Sequence, residues 1–360
     1  MKFNRVAVFA WGVVAWNLLV IVWGAYVRAS VSGDGCGSHW PLCNGEVIPT
    51  TGLTKTLVEL THRLTSGVAL ILVIALVVRA RRAFPAGHRV RAGAWVTLAF
   101  ILIEALLGAA LVKFELVAGN ASMARAFVMS VHLVNTFLLL AAMSLTAWWA
   151  SGGPPLKVRG QGAAFVLLIL GFFGTLLLAV SGAVAALGDT LFPARSLTEA
   201  FRQDLSPGAH VLLRLRLIHP GLAVLVGAYV LLMASYVSNF LRPGPRTKKA
   251  SSILIGLVLT QFAAGLLNVA LLAPIWLQLV HLLLADLLWI ALTLFAATAL
   301  AEPIADWDQR IADSEELRSK ADDGREAVFP SSTPAVSDQS AIRWSQSAIE
   351  DSAIRNRRIR

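Results

Sequence analysis

Eight runs of about twenty or more mostly apolar residues fill the first 300 positions, roughly 6–27, 57–78, 93–112, 125–149, 162–187, 209–236, 252–273 and 275–300. A bilayer core of about 30 Å needs about 20 apolar residues per helix, and within lipid a helix satisfies its own backbone N–H and C=O groups. The runs therefore predict an all-α membrane protein with eight transmembrane helices. Composition agrees: 57% of residues are hydrophobic and only 14% charged, against about 25% charged in soluble domains. Lys2 and Arg5 ahead of the first run suggest a signal peptide, but its apolar stretch exceeds an h-region of about 7–15 residues, so it reads as a retained helix.

The net charge of +10 points to no nucleic acid, since no basic stripe or reader motif accompanies it. It has a simpler origin in loops that face anionic lipid. Thirteen Lys/Arg lie before the first run and in the second–third, fourth–fifth and sixth–seventh loops, against about six in the alternate loops. Both termini are thus expected on the cytoplasmic side of the cell membrane, with loops 28–56 and 188–208 outside. Residues 301–360 hold 12 of the 21 acidic residues and little apolar periodicity, which predicts a polar cytoplasmic tail, disordered and without chemistry.

The runs also repeat, one to four against five to eight. Gly24-Ala25 closes the first and Gly182-Ala183 comes near the end of the fifth; Glu104-xxx-Gly108 in the third matches Gln261-xxx-Gly265 in the seventh. Four helices per copy give both copies one orientation, unlike inverted transporter repeats. The expected architecture is two pseudo-symmetric four-helix bundles, residues 1–150 and 151–300.

Four of the seven histidines, His62, His132, His219 and His281, fall one to each even-numbered run, each about 5–10 residues in, or roughly 8–15 Å deep at 1.5 Å per residue. An ionisable residue inside the membrane marks function by default. Each could merely hydrogen-bond a neighbouring helix, but four at equivalent depth in a duplicated unit point to axial ligation of two haem irons, one per half. No half assembles the three or four ligands that zinc needs. His39, His88 and His210 lie in loops or at a span's edge and read as surface.

The halves differ in their polar residues. Glu59 precedes His62 by three positions and so shares its helix face; it could serve chemistry beside the histidine or simply pair with Arg63 or Lys55. Arg216 takes the corresponding place before His219 and would suit a haem propionate. Only the first outer loop carries cysteines, Cys36 and Cys43, in a Gly- and Pro-containing segment of an oxidising compartment, where a disulfide is expected. Chemistry is therefore assigned to the N-terminal half and electron relay to the C-terminal half.

The runs VRASVSGDGCGSHWPLCNGEVIP, ELTHR, SVHLVN, SGAVAALGDTLFP, LIHPGLAVLVG, QFAAGLLNVALLAP and LVHLLLADLLW together resemble the haem A synthase family, over about residues 1–300. The resemblance implies oxidation of the C8 methyl of haem O to the formyl group of haem A for cytochrome oxidase. It implies His62 and His132 as ligands of the substrate haem O, His219 and His281 as ligands of a resident haem b, and Glu59 and the Cys36/Cys43 pair as family features. Partners implied are haem O synthase (protohaem farnesyltransferase), an unidentified electron donor and membrane lipid. Glu104 departs from the family's more usual Gln, and the tail lies outside the resemblance. A non-catalytic dihaem electron carrier or a haem transporter or chaperone would predict equivalent halves; Glu59 and the cysteines, present in one half only, favour the enzyme.

Overall fold

A computed structural model of the chain describes residues 4–49 and 54–301. The tail expected over 301–360 lies, beyond Ala301, outside the described residues. Nine helices form among the described residues: α1 (Arg5–Ala29), α2 (Thr54–Ala83), α3 (Arg89–Lys113), α4 (Met123–Ala150), α5 (Ala163–Leu191), α6 (Leu197–Leu205), α7 (Val211–Tyr236, prolonged by a π-turn over Val237–Leu241), α8 (Pro245–Ala270) and α9 (Ile275–Ala299). All but α6 are long and apolar enough to cross a bilayer.

Local signals start these helices. Asn4 accepts from the Ala7 N–H at 2.8 Å and donates to the Ala150 carbonyl at 3.1 Å, capping α1 and tying it to the end of α4. Ser122 caps α4 through the Arg125 N–H. The His88 ring caps α3 by accepting from the Val90 N–H; burial, reinforced by Arg89, holds this imidazole below its usual range and so keeps the accepting nitrogen free.

Two boundaries differ from the sequence expectation. The seventh span begins at Pro245, in the first helical turn, rather than at 252, and runs through Arg246, Lys248 and Lys249. Hydropathy marks the lipid-embedded stretch, whereas Lys and Arg are good helix formers that extend it into the interface. The 188–208 loop contains α6, whose nine residues are too few and too polar to register as a span.

α1–α4 close into one ring of packed helices and α5, α7, α8 and α9 into a second, and the rings meet chiefly where α4 packs on α9 and α5. Trp289 of α9 seals the seam: its indole N–H donates to the Phe137 carbonyl of α4 at 2.6 Å, with the Phe137 and Phe172 rings 5.0 and 5.1 Å away. Large apolar side chains such as Leu19, Ile71, Leu106, Phe173, Leu232 and Leu266 face outward, the reverse of a soluble protein.

Packing is uneven along the bundles. Buried positions in α4 concentrate from Asn135 to Ala150 and in α9 from Asp286 to Ala299; before those stretches α4 buries only Arg125 and Ala126, and α9 only Leu277. The end that carries the 28–49 loop is therefore the loosely filled end. His132 and His281 stand just above the level where tight packing begins.

Candidate functional site

Each of the four intramembrane histidines packs against a glycine of a neighbouring helix. A Cβ added at Gly24 of α1 would stand 2.7 Å from His62 Cε1, one at Gly182 of α5 3.0 Å from His219 Cε1, and one at Gly265 of α8 3.3 Å from His281 Cε1. At Gly108 of α3 the nearest atom is His132 Nε2, at 3.8 Å. Gly24, Gly182 and Gly265 thus let a helix approach an imidazole that a side chain would displace, whereas a Cβ at Gly108 would meet His132 at ordinary contact distance. His62 and His132 lie within electrostatic range of each other, as do His219 and His281. His62 and His132 thus lie on helices of the first ring, and His219 and His281 on helices of the second.

Their polar neighbours differ. His132 Nδ1 lies 2.9 Å from Glu104 Oε1, although the oxygen sits off the line of the ring N–H. Glu104 also accepts from Asn135 Nδ2 at 2.6 Å and from the Thr136 hydroxyl in a shorter bond. His219 Nδ1 meets the Ser181 hydroxyl at 2.9 Å. Gln261 donates to the His281 carbonyl at 3.1 Å and lies 3.3 Å from its Nε2. Nδ1 of His62, of His132 and of His281 is in each case buried without a hydrogen-bond partner among the described residues, Glu104 lying close to His132 Nδ1 but out of line.

Glu59 is buried and committed at both oxygens. Oε2 accepts from the Cys36 N–H at 2.9 Å, and Oε1 takes Arg63 Nε at 3.1 Å and Nη2 at 2.5 Å. Arg63 Nη1 donates in turn to the His39 and Leu42 carbonyls, both at 2.7 Å. Of the two pairings open to Glu59, the Arg63 one forms, while Lys55 approaches Asp34 instead. Cys36 and Cys43 form the expected disulfide, and the Glu59–Arg63 pair clamps that closed loop to the helical turn next to His62.

Residues 7–293 match the cytochrome oxidase assembly protein family. The chain belongs to this family. It is 54% identical over 297 residues to a protein of Thermus thermophilus named protoheme IX farnesyltransferase, covering 82% of this chain and 49% of the relative, so it spans about half that relative's length. It also resembles proteins named heme A synthase: 36% identity over 112 residues in Exiguobacterium (31% of this chain, 37% of the relative), and 42% over 95 residues in Bacillus cereus (26% and 30%). The family match spans both bundles and all four histidines.

Arg216 in this family member is paired with two carboxylates, Asp189 at 2.9 Å and Asp204 of α6 at 2.5 Å. Those bonds anchor α6, and they occupy the guanidinium that the sequence suggested for a propionate. Arg28 plays a cross-bundle part that the sequence left unread: it donates to the Ala186 carbonyl and Thr190 hydroxyl of α5, both at 2.7 Å, and to Gln278 of α9 at 2.9 Å. Its position at the end of a span looked like ordinary interfacial charge. Asp286 is fully buried in α9, with neither carboxylate oxygen hydrogen-bonded among the described residues.

Proposed function

We propose that this chain is a haem A synthase, with haem O as substrate between His62 and His132 and a resident haem b between His219 and His281. The observation that carries the reading is the duplicated pair of glycine-backed histidines at the loosely packed end of each bundle. The Nδ1 atoms of His62, His132 and His281 lack hydrogen-bond partners among the described residues, and a buried polar atom left unsatisfied costs about 1–3 kcal/mol, which marks these imidazoles as more than packing residues. Neutral imidazoles on facing helices are suitable haem ligands. Haem b would supply one-electron transfer to the N-terminal site.

The substrate's C8 methyl would be hydroxylated twice, each step replacing a C–H bond with C–OH, and the resulting geminal diol would lose water to leave the formyl group. With dioxygen as oxidant, each hydroxylation would consume one O2, two electrons and two protons, placing one oxygen atom on the methyl carbon and releasing the other as water. The chain's own contribution is positional: His62 and His132 fix the macrocycle, and Glu59 with Arg63 holds the disulfide loop over the same bundle. Glu59 sits within one helical turn of His62 and is our candidate for acting beside it. The disulfide supports placing that end outside the cell membrane, with the basic loops cytoplasmic.

The name of the Thermus relative raises prenyl transfer as a second reading. Magnesium-assisted departure of a diphosphate uses carboxylates on the metal, and among the described residues no three His, Cys, Asp or Glu gather to hold one. An enzyme that farnesylates protohaem produces haem O, so we place such an enzyme upstream as the partner supplying substrate. A simple dihaem carrier fits less well, because the clamp and disulfide occur in one bundle only. The test is expression with a haem O source under oxygen, followed by haem extraction, chromatography and mass analysis. Haem A is expected; haem B and unmodified haem O alone would refute the synthase reading.

A further inference from the structure

The duplicated bundles place chemically different groups behind corresponding histidines. In the N-terminal bundle, Glu104 lies 2.9 Å from His132 Nδ1. Its carboxylate is held by Asn135 and Thr136, three and four residues beyond that histidine, and Asn135 also donates to the Phe100 carbonyl of α3 at 3.0 Å. In the C-terminal bundle the counterpart is the neutral amide of Gln261, whose nitrogen faces His281 Nε2 rather than Nδ1. The positions three and four beyond His281 are Leu284 and Ala285, which have no side-chain donor. Among the described residues a carboxylate cradled in this way stands beside His132, and the corresponding position beside His281 is an amide.

This difference has a chemical consequence for a ligand histidine. A carboxylate beside Nδ1 favours the tautomer with its proton there and leaves the Nε2 lone pair for a metal, and it raises the ligand's basicity. A more basic imidazole stabilises ferric over ferrous iron, and hydrogen bonding around axial ligands is one of the protein's controls on haem potential. The amide in the second bundle carries no charge to do the same.

We infer that Glu104 is a positioning residue for His132, giving the N-terminal haem an anion-backed ligand and a lower midpoint potential than a neutral residue at position 104 would give it. The inference rests on the two-haem reading above. Thr136 moderates the effect: its single hydroxyl hydrogen has both Glu104 Oε1 and the His132 carbonyl (2.9 Å) within reach, and when it donates to Glu104 it draws electron density away from the contact with His132.

The experiment is a spectroscopic redox titration of the full chain in detergent, reconstituted with haem b, with signals assigned to each bundle by His132→Ala and His281→Ala. Glu104→Gln is expected to raise the midpoint of the His132-dependent haem and leave the other unmoved, with Glu104→Asp restoring part of the difference. Thr136→Val keeps the carboxylate, removes one donor to it and should lower the same midpoint. Opposite signs distinguish electronic tuning from structural damage, which would move both variants alike. Unchanged midpoints, or shifts in the same direction, overturn this inference alone. A wild-type chain with no His132-dependent haem signal overturns the two-haem reading and this inference with it.

Discussion

Replacing each backing glycine by alanine provides a graded test of the site's geometry. An alanine Cβ at Gly24 would lie 2.7 Å from His62 Cε1 and 3.1 Å from Nε2, well inside the carbon–carbon optimum of about 3.5–4.0 Å. The ring must swing by most of an ångström or α1 must back away; overpacking of this kind costs about 1–3 kcal/mol. Gly182→Ala, with its contact at 3.0 Å, and Gly265→Ala at 3.3 Å should be progressively milder, and Gly108→Ala meets His132 only at 3.8 Å. Against the clash stands a gain of about 1 kcal/mol from exchanging glycine for alanine inside a helix. The sign therefore changes along the series: Gly24→Ala should melt lower than wild type and Gly108→Ala higher. Haem content of the purified variants, read by pyridine haemochrome, should fall in the order Gly108, Gly265, Gly182, Gly24, with Gly24→Ala losing the N-terminal haem first. If Gly24→Ala bound haem fully and melted as high as Gly108→Ala, the claim that these glycines make room for the imidazoles would fail.

Other variants probe the surroundings. Glu59→Gln removes the charge facing Arg63, and breaking a buried pair costs about 3–5 kcal/mol, an upper bound here because Arg63 is partly exposed; the Cys36–Cys43 bond should then be reduced faster by dithiothreitol, as followed by thiol alkylation, and an unchanged rate would refute the clamp. Asp286→Leu relieves two unpartnered carboxylate oxygens and should raise stability by about 1–3 kcal/mol, measured by thermal unfolding in detergent; a lower midpoint would mean that the carboxylate has a partner. The His88 cap should weaken on acidification: its folded pKa is depressed, so the unfolded chain binds the proton more readily, and the cap's stability falls as pH drops below the unfolded value of about 6.5. Amide exchange at Val90, once corrected for intrinsic rates, should show lost protection at pH 5 relative to pH 8, and equal protection would exclude the ring as acceptor.

The eight spans were legible because lipid imposes length and apolarity on every crossing segment, and the four histidines drew attention because ionisable residues stand out in such segments. The disulfide was legible from compartment and loop composition. Side-chain commitments were less so. Glu59 and Arg216 were each recognised as charges near a histidine, but sequence spacing does not say whether a charge faces the bundle interior or folds back onto a loop, as Glu59 does to Cys36 and Arg216 to α6. Arg28, Asp189 and Asp204 were invisible as a group because their partners lie on helices far apart in the chain. Glu104 was noticed as unusual, yet its cradle depends on Asn135 and Thr136 presenting one helical turn to it, which only packing reveals.

Arg28 also bears on how the two halves work together. It leaves α1 one turn after Gly24, which backs His62; it grips α5 at Ala186, one turn after Gly182, which backs His219; and it holds Gln278, one turn before His281. A single guanidinium thus braces the supports of three of the four histidines against one another. On the two-haem reading, that brace would keep the two sets of ligand histidines at a constant separation. A charge at the edge of a membrane helix would then act as the gauge that keeps two redox centres at a constant separation.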